Sequence, residues 1–224
     1  MKKPRLLDLF CGAGGASVGY YRAGFEVIGV DIVKQPHYPF EFHQADALTY
    51  QLYGFGAFHA SPPCQGYMNA LNMPNVKKVH KEAKRLIEPT RELLIATGKP
   101  FVIENVVGSP LQNYFELSGM MFQLKVIRKR WFEIHGFEVG FLPSPQTYKN
   151  ARSAGYIPYN KGETTQRNSL PQIWTKARVS IAMGIDWMLL SELNQAIPPA
   201  YTEYIGKYLM QELKRDYQPE AERM

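Results

Sequence analysis

Two side chains of this sequence could together do covalent and acid–base chemistry, Cys64 and Glu104. Cys64 follows two prolines that end a short apolar run, and the polar pair Gln65-Gly66 comes directly after it. As a thiolate, this cysteine would be a nucleophile. Glu104 ends the apolar run Phe101-Val-Ile103, which favours a partly buried carboxyl with a raised pKa. Two ordinary interpretations stay open, because a lone cysteine is commonly an inert core residue and Glu104 could be a surface group at a turn.

The glycine-rich segment Gly12-Ala-Gly-Gly15 could hold a nucleoside cofactor. It connects an apolar run to a helical pattern, so its backbone can approach a ligand at a helix N-terminus. Asp31, 17 residues beyond Gly14, could accept hydrogen bonds from both ribose hydroxyls, and Asp46 could accept one from an adenine amino group. NAD-binding turns favour a third glycine where this chain has Ser17. The pattern therefore favours S-adenosylmethionine and leaves NAD open.

Short apolar runs alternate with helical patterns along the first hundred residues. Alternation of this kind predicts an α/β fold with a doubly wound, mostly parallel sheet. Ligands bind such sheets at the carboxyl ends of the strands. The segment Gly12–Gly15, Asp31, Cys64 and Glu104 would all lie at such ends. The predicted strands are Arg5–Phe10, Phe25–Val30, Phe55–Ala60 and Phe101–Ile103, and the predicted helices are Ala16–Ala23, which ends at Gly24, and Lys77–Thr97, which Pro89 should bend or split.

The composition of the chain changes after residue 136. Residues 137–173 are rich in Pro, Gly, Ser, Asn and Tyr without clear periodicity, which is typical of a flexible insert or a small irregular recognition unit. Helical patterning returns in residues 174–224. We therefore predict a catalytic domain in residues 1–136, a recognition segment in 137–173 and returning helices in 174–224, at Arg178–Met183, Trp187–Asn194 and, after Pro198-Pro199, from Tyr201 to about Tyr217.

Charge and composition narrow the class of protein. The 224 residues carry 26 basic and 20 acidic side chains, a net charge of +6, and the surplus lies in residues 66–100 and 125–135. This favours a polyanionic partner, although a solvated helix face would look the same. Two cysteines are too few for a disulfide scaffold or a four-thiolate zinc site, and we expect no metal. No apolar run reaches the roughly 18 residues of a membrane helix, so we expect a soluble cytoplasmic protein.

Several short motifs, in family order, resemble those of the cytosine-C5 DNA methyltransferases. They are found along nearly the whole chain except residues 137–173, where that family has its target-recognition domain. The resemblance implies a Rossmann-like S-adenosylmethionine-dependent fold with a reduced recognition insert. The motifs are Asp8-Leu-Phe-Cys-Gly-Ala-Gly-Gly15, Ser61-Pro-Pro-Cys-Gln65, Glu104-Asn-Val106, Arg128-Lys-Arg130, Ala182-Met-Gly184 and Gln195-Ala-Ile-Pro-Pro199.

The same resemblance implies catalytic roles for four residues. The Cys64 thiolate would add to C6 of a flipped-out cytosine, which makes C5 able to take the methyl group. Glu104 would protonate or hydrogen-bond N3, while Arg128 and Arg130 would hold Glu104 and the base carbonyl. Loss of the C5 proton would then expel the cysteine. Without the family context, the two arginines could equally bind phosphate or form an exposed salt bridge.

Cofactor and DNA contacts follow from the resemblance as two further sets. The loop from Gly66 to Val79 should move and close over DNA. The residues expected around S-adenosylmethionine, and around its product S-adenosylhomocysteine, are Phe10, Gly12, Ala13, Gly14, Gly15, Asp31, Ile32, Asp46, Ala47, Pro63, Gln195 and Ile197. The residues expected to contact DNA are Gln65, Lys77, Lys78, Lys81, Arg152 and Arg167.

Three departures from the family pattern, Met68, Val126 and Gln195, leave the nucleophile and the general acid intact. We expect a monomer acting on double-stranded DNA in a bacterial or phage-infected cell, with a cognate restriction endonuclease as a candidate partner. Three alternatives stay open: an RNA cytosine-C5 methyltransferase acting on tRNA, a catalytically silent DNA-binding accessory subunit, and an NAD-dependent oxidoreductase.

Overall fold

A seven-stranded sheet organises the part of the chain that the computed structural model describes, residues 3–67, 85–142 and 175–216. Its strands are β1 (Arg5–Leu9), β2 (Glu26–Asp31), β3 (Glu41–Gln44), β4 (Ala57–Ala60), β5 (Phe101–Asn105), β6 (Tyr114–Leu117) and β7 (Arg130–His135). Their order is β3-β2-β1-β4-β5-β7-β6. The first five strands pair in parallel, and β7 is antiparallel to both β5 and β6. The predicted mostly parallel α/β sheet is confirmed.

Five α-helices accompany the sheet within these ranges. They are α1 (Gly15–Arg22), α2 (Ile87–Ile95), α3 (Lys176–Met183), α4 (Leu190–Leu193) and α5 (Pro199–Asp216), with 3₁₀ turns at Cys64–Gly66 and Gly119–Phe122. In these parts of the chain, no helix has the length and apolar character needed to span a membrane.

Apolar side chains of the central strands pack on both faces of the sheet. Successive strand residues point to opposite faces, so Leu6 packs under α1 and α5 while Leu7 packs with α2. Helices α1 and α5 approach each other closely. A Cβ at Gly19 would lie 2.0 Å from Oγ1 of Thr202, a hydroxyl that donates to the carbonyl of Ala16 at 2.8 Å. The C-terminal helix α5 is thereby attached to the helix that follows the glycine-rich segment.

Two prolines lie in the first turns of helices. Pro89 was expected to bend or split the predicted Lys77–Thr97 helix; in the structure Arg85 and Leu86 are not helical, α2 begins at Ile87, and Pro89 is its third residue. Pro199 is the first residue of α5, which was expected to begin at Tyr201. Neither position needs an N–H donor, because the first turn of a helix has no intrahelical acceptors for it. The remaining part of the predicted Lys77–Thr97 helix, residues 77–84, lies outside the described residues.

Other boundaries shift by a few residues. The predicted strand Phe55–Ala60 begins at Ala57, and the predicted helix Trp187–Asn194 is a single turn, α4. Only residues 137–142 of the predicted recognition segment 137–173 belong to the described ranges. The division of the chain into three units stays a prediction.

Candidate active site

The glycine-rich segment turns sharply between β1 and α1, and Asp31 fixes it. Phe10, Gly12 and Gly14 have positive φ angles of 57°, 50° and 85°. At the end of β2, Asp31 accepts the Gly12 N–H through Oδ2 at 3.0 Å and the Val33 N–H through Oδ1 at 2.9 Å. Each carboxylate oxygen has a second lone pair, so Asp31 can still accept hydrogen bonds from the two hydroxyls of a ribose.

The three glycines of this turn have different surroundings. A Cβ at Gly15 would lie 2.4 Å from the carbonyl oxygen of Ile197, and one at Gly14 would lie 2.8 Å from Cδ of Pro39. At Gly12, in contrast, a Cβ would meet nothing within 4 Å among the described residues. Gly14 and Gly15 are therefore needed for packing, whereas Gly12 leaves open space in which a ligand can approach the backbone.

The remaining predicted cofactor residues are spread around this turn. Ile32 is 65% exposed directly after Asp31. The Ala45 N–H donates to the Asp31 carbonyl at 3.0 Å, which brings Asp46, exposed and capped by the Leu48 N–H at 2.9 Å, to the neighbouring strand end. Ala13, Ala47 and Ile197 are buried, whereas Pro63 and Gln195 are exposed.

Trp187 contacts the glycine-rich segment, which its position in the sequence did not indicate. Its indole Nε1 donates to the Ala13 carbonyl at 2.9 Å. Ala13 also belongs to an apolar cluster with Val179 and Met183 of α3 and Leu193 of α4. The C-terminal helices therefore pack against the glycine-rich turn. The contacting residues are more than 170 positions apart in the sequence, so no local pattern predicts this contact.

Cys64 follows β4, and Glu104 lies near the carboxyl end of the neighbouring parallel strand β5. Ala60, the last residue of β4, pairs with Ile103 of β5. The side-chain amide of Asn105 donates to the Pro62 carbonyl at 2.8 Å, which attaches the Pro-Pro-Cys turn to the end of β5. Cys64 begins the 3₁₀ turn and is half-buried. The structure therefore brings the thiol-bearing turn and the carboxyl to the same edge of the sheet.

Glu104 is a buried carboxyl with a cation beside it. It is 6% exposed, and its Oε1 lies 3.0 Å from Nε of Arg130 on β7. The pair is an ion pair without hydrogen-bond alignment, and Oε1 accepts no aligned hydrogen bond from the described residues. Burial raises the pKa of Glu104, while Arg130, a hydrogen bond with the Ser61 side chain and the charge of Arg128 act in the opposite direction. A base entering the site could bond to this oxygen.

Arg128 is even more deeply buried than Glu104. It is 1% exposed, its Nη2 donates to the Asn194 carbonyl at 3.0 Å, and its own carbonyl accepts the Tyr201 hydroxyl at 2.8 Å. The alternative of an exposed salt bridge therefore does not fit Arg128. Its charge still reaches Glu104 and lowers the pKa of that carboxyl.

Most of the predicted DNA contacts lie outside the described residues. These are Lys77, Lys78, Lys81, Arg152 and Arg167, together with nearly all of the loop from Gly66 to Val79. Gln65 is described and exposed beside Cys64. Within the described ranges, no group of three or more His, Cys, Asp or Glu side chains is arranged to hold a metal ion.

Buried polar side chains beneath the site were also missed. Asp8, in the middle of β1, is fully buried and accepts a hydrogen bond from Ser17, which in turn accepts one from the Tyr38 hydroxyl at 2.9 Å. Burial raises the pKa of Asp8 to about 7. His59, in the middle of β4, is likewise fully buried. The sequence did contain a sign of these buried groups, since each is a charged or polar residue inside an apolar run. Such a group needs a hydrogen-bond partner in the folded protein.

Comparisons with known proteins address the fold. A scan against family models and a search of curated proteins gave no match. Among solved structures, a protein assigned as a DNA modification methyltransferase and encoded within an E. coli prophage is 14% identical with a TM-score of 0.63, covering 95% of this chain and 100% of that one.

Two further solved structures align with this chain over almost its whole length and almost the whole of their own. S. pombe Dnmt2 methyltransferase is 13% identical, with a TM-score of 0.57 over 94% of this chain and 99% of its own. Entamoeba histolytica methyltransferase EhMeth is 14% identical, with a TM-score of 0.57 over 98% and 100%. At these identities the likeness concerns the fold. The chain therefore has the Rossmann-like fold of S-adenosylmethionine-dependent methyltransferases, as its motifs predicted.

Proposed function

We propose that this protein transfers a methyl group from S-adenosylmethionine to C5 of cytosine in DNA. The observation that carries the proposal is the arrangement at the end of β5, where the buried Glu104 carboxyl has the Arg130 guanidinium 3.0 Å away and the turn bearing Cys64 beside it. A nucleophilic thiol and a carboxyl that can hold a proton are the two groups that addition to a pyrimidine requires.

The cofactor would bind at the turn between β1 and α1. Asp31 is suited to the ribose hydroxyls, the open space at Gly12 to close approach of the ligand, and exposed Ile32 to contact with the adenine. S-adenosylmethionine supplies an electrophilic methyl group and leaves as S-adenosylhomocysteine. The rest of the reaction depends on side chains of this chain.

In the proposed reaction, the Cys64 thiolate forms a bond to C6 of the cytosine, and the electron pair of the C5–C6 double bond becomes available at C5. Protonated Glu104 donates to N3 through Oε1, which offsets the charge that develops on the ring. Arg130 holds the resulting carboxylate in position. After C5 has taken the methyl group, water accepts the C5 proton, the electron pair of that C–H bond restores the C5–C6 double bond, and the bond from C6 to the Cys64 sulfur breaks to release the thiolate while N3 returns its proton to Glu104. The target base must leave the stack to expose C6.

DNA is the favoured substrate because the prophage-encoded structure of the same fold is assigned to DNA modification. Cytosine in tRNA is the second candidate, since the chemistry at C5 and C6 would be identical. Competition between duplex DNA and tRNA for labelled methyl groups distinguishes them. We expect the enzyme to act as a monomer in the cytoplasm of a bacterial or phage-infected cell, with a cognate restriction endonuclease as a candidate partner.

The test is transfer of a labelled methyl group from S-adenosylmethionine to cytosine-rich duplex DNA. We expect transfer by the natural protein, none by Cys64→Ala, and near-normal transfer by Cys11→Ala, which removes the other cysteine. A covalent adduct with duplex DNA containing 5-fluorocytosine should form only when Cys64 is present. Transfer that survives Cys64→Ala would exclude the mechanism, and absence of transfer to any duplex would exclude the function.

A further inference from the structure

A series of hydrogen-bonded polar side chains, of which two are fully buried and Ser61 is half-buried, runs toward Glu104 from the interior of the fold. His59 is fully buried in β4, with Nδ1 3.0 Å from the Tyr20 hydroxyl and Nε2 3.0 Å from the Ser61 hydroxyl. Ser61 lies beside Glu104 because the preceding residues Ala60 and Ile103 are paired, and a hydrogen bond from the Ser61 side chain acts to lower the pKa of that carboxyl. None of Tyr20, His59 and Ser61 has a role in the mechanism above.

The sheet register explains why these side chains meet. Ala60 pairs with Ile103 in parallel, so the next residues along the two chains, Ser61 and Glu104, continue side by side. His59 and Ser61 are two positions apart and point to the same face, the face covered by α1, which contributes Tyr20. The geometry of the paired strands therefore explains why these side chains lie next to one another.

The positions of the protons in this series of hydrogen bonds follow from the protonation states of His59 and Glu104. Burial lowers the pKa of His59 to about 3, so its imidazole is neutral and has a single N–H. A carboxylate can only accept, so Ser61 donates to Glu104 and its oxygen accepts from Nε2–H of His59. Nδ1 is then an acceptor for the Tyr20 hydroxyl. The tautomer is assigned from this network. All three donors point toward the carboxylate.

We propose that Tyr20, His59 and Ser61 form a relay of positioning residues that holds the Glu104 carboxyl and sets how readily it releases its proton. As a statement about catalysis, this rests on the proposed function. As a statement about Glu104, it concerns the folded protein alone.

Several other groups act on Glu104, and the relay is distinct from each of them. Arg130 on β7 and Arg128 just before it favour the carboxylate, while burial favours the acid. Asp8 on β1 is close enough for repulsion between the two carboxyls. The arginines are cations at and just before the start of β7, whereas the relay consists of neutral donors that reach Glu104 from β4 and α1.

The direct test is titration of the Glu104 carboxyl by carbon-13 NMR of protein labelled at glutamate Cδ, with Glu104→Gln to assign the signal. Loss of a hydrogen bond to a charged group should raise the pKa by about one unit. We expect this rise in Ser61→Ala and in His59→Phe, and a smaller one in Tyr20→Phe. His59→Gln should recover most of the natural value, because its amide can place an N–H near the position of Nε2.

A matched control is Ser109→Ala, which removes another buried serine hydroxyl, one with no hydrogen-bond partner in the described part of the chain. It should leave the Glu104 pKa unchanged. The relay is disproved if Ser61→Ala titrates like the natural protein, if a folded His59→Phe does so, or if Ser109→Ala shifts Glu104 as much as Ser61→Ala. If His59→Phe does not fold, the comparison of these conservative variants still decides.

The titration needs no substrate, so it separates this inference from the proposed function. Where methyl transfer is measurable, the loss of kcat/KM at alkaline pH should move to higher pH by the same amount in Ser61→Ala. If the natural protein transfers no methyl group and Glu104 still responds to Ser61→Ala, the function fails and the relay stands. A purely packing role would lower thermal stability without moving either titration.

Discussion

The Arg130 guanidinium approaches the Glu104 carboxyl across the antiparallel pair of β7 and β5, with Nε 3.0 Å from Oε1 and both side chains largely buried. Burial favours the protonated carboxyl and the guanidinium favours the carboxylate. The proposed mechanism requires both forms in one catalytic cycle. The ion pair is thus a means of keeping a buried acid able to lose its proton.

Replacing Arg130 with Met should destabilise the protein in a pH-dependent manner. Without the guanidinium the pKa of Glu104 rises further, so the folded state binds its proton more strongly than the unfolded state does. Stability from such a group is present at low pH and is lost as pH rises through the folded pKa. We expect Arg130→Met to lose up to about 3 kcal/mol at pH 8 and much less at pH 5.5, measured by urea unfolding.

The double variant Arg130→Met with Glu104→Gln is the control for that experiment. It has no carboxyl at position 104, so its stability relative to Glu104→Gln should be independent of pH. A pH dependence that persists in the double variant would assign the effect to another group.

Asp8 should make the fold less stable above neutral pH. Burial raises its pKa from 3.8 to about 7, so folding retains a proton that the unfolded chain releases. The contribution of Asp8 to stability is lost as pH rises through about 7. Between pH 5.5 and 8 the loss should be about 2 kcal/mol. Asp8→Asn should flatten this pH dependence in urea unfolding, whereas Asp186→Asn, at an exposed position, should leave it unchanged.

The strand ends that build the site could be predicted from sequence because their signals are local. Apolar runs followed by glycine, proline or acidic residues placed Gly12, Asp31, Cys64 and Glu104 at the carboxyl ends of parallel strands. The apolar run before Glu104 also indicated its burial, which the 6% exposure confirms. Their functional roles stay predictions.

The parts that sequence did not predict depend on distant partners. Strands β6 and β7 contain both polar and apolar residues. They are stabilised by pairing, β6 with β7 and β7 with β5. The last helix was expected to begin at Tyr201 because Pro199 was read as a break, although proline is also favoured in a first helical turn. His59 and Tyr20 are 39 positions apart, so no local pattern indicates that they meet.

Asp31 and Asp46 should contribute unequally to cofactor affinity. Asp31 holds the turn through the Gly12 and Val33 N–H groups and faces the proposed ribose position, so Asp31→Asn alters both. Asp46 is exposed, and among the described residues its carboxylate accepts a hydrogen bond from the Leu48 N–H of the same loop. Isothermal titration with S-adenosylhomocysteine should give a Kd at least about tenfold higher for Asp31→Asn, the effect of a lost hydrogen bond to a charged group. For Asp46→Asn the increase should be smaller, and the reverse order would contradict this arrangement.

Gly12 and Gly15 should separate ligand binding from folding. In Gly15→Ala the new Cβ would lie 2.4 Å from the Ile197 carbonyl oxygen, a backbone atom with little room to move, so we expect a loss of about 1–3 kcal/mol of stability. In Gly12→Ala the Cβ meets nothing among the described residues, and the cost is the positive φ of 50°, about 1 kcal/mol. Because that Cβ enters the space proposed for the cofactor, Gly12→Ala should bind S-adenosylhomocysteine much more weakly at nearly natural thermal stability. Normal affinity in a folded Gly12→Ala protein would mean that the cofactor does not approach the turn on this side.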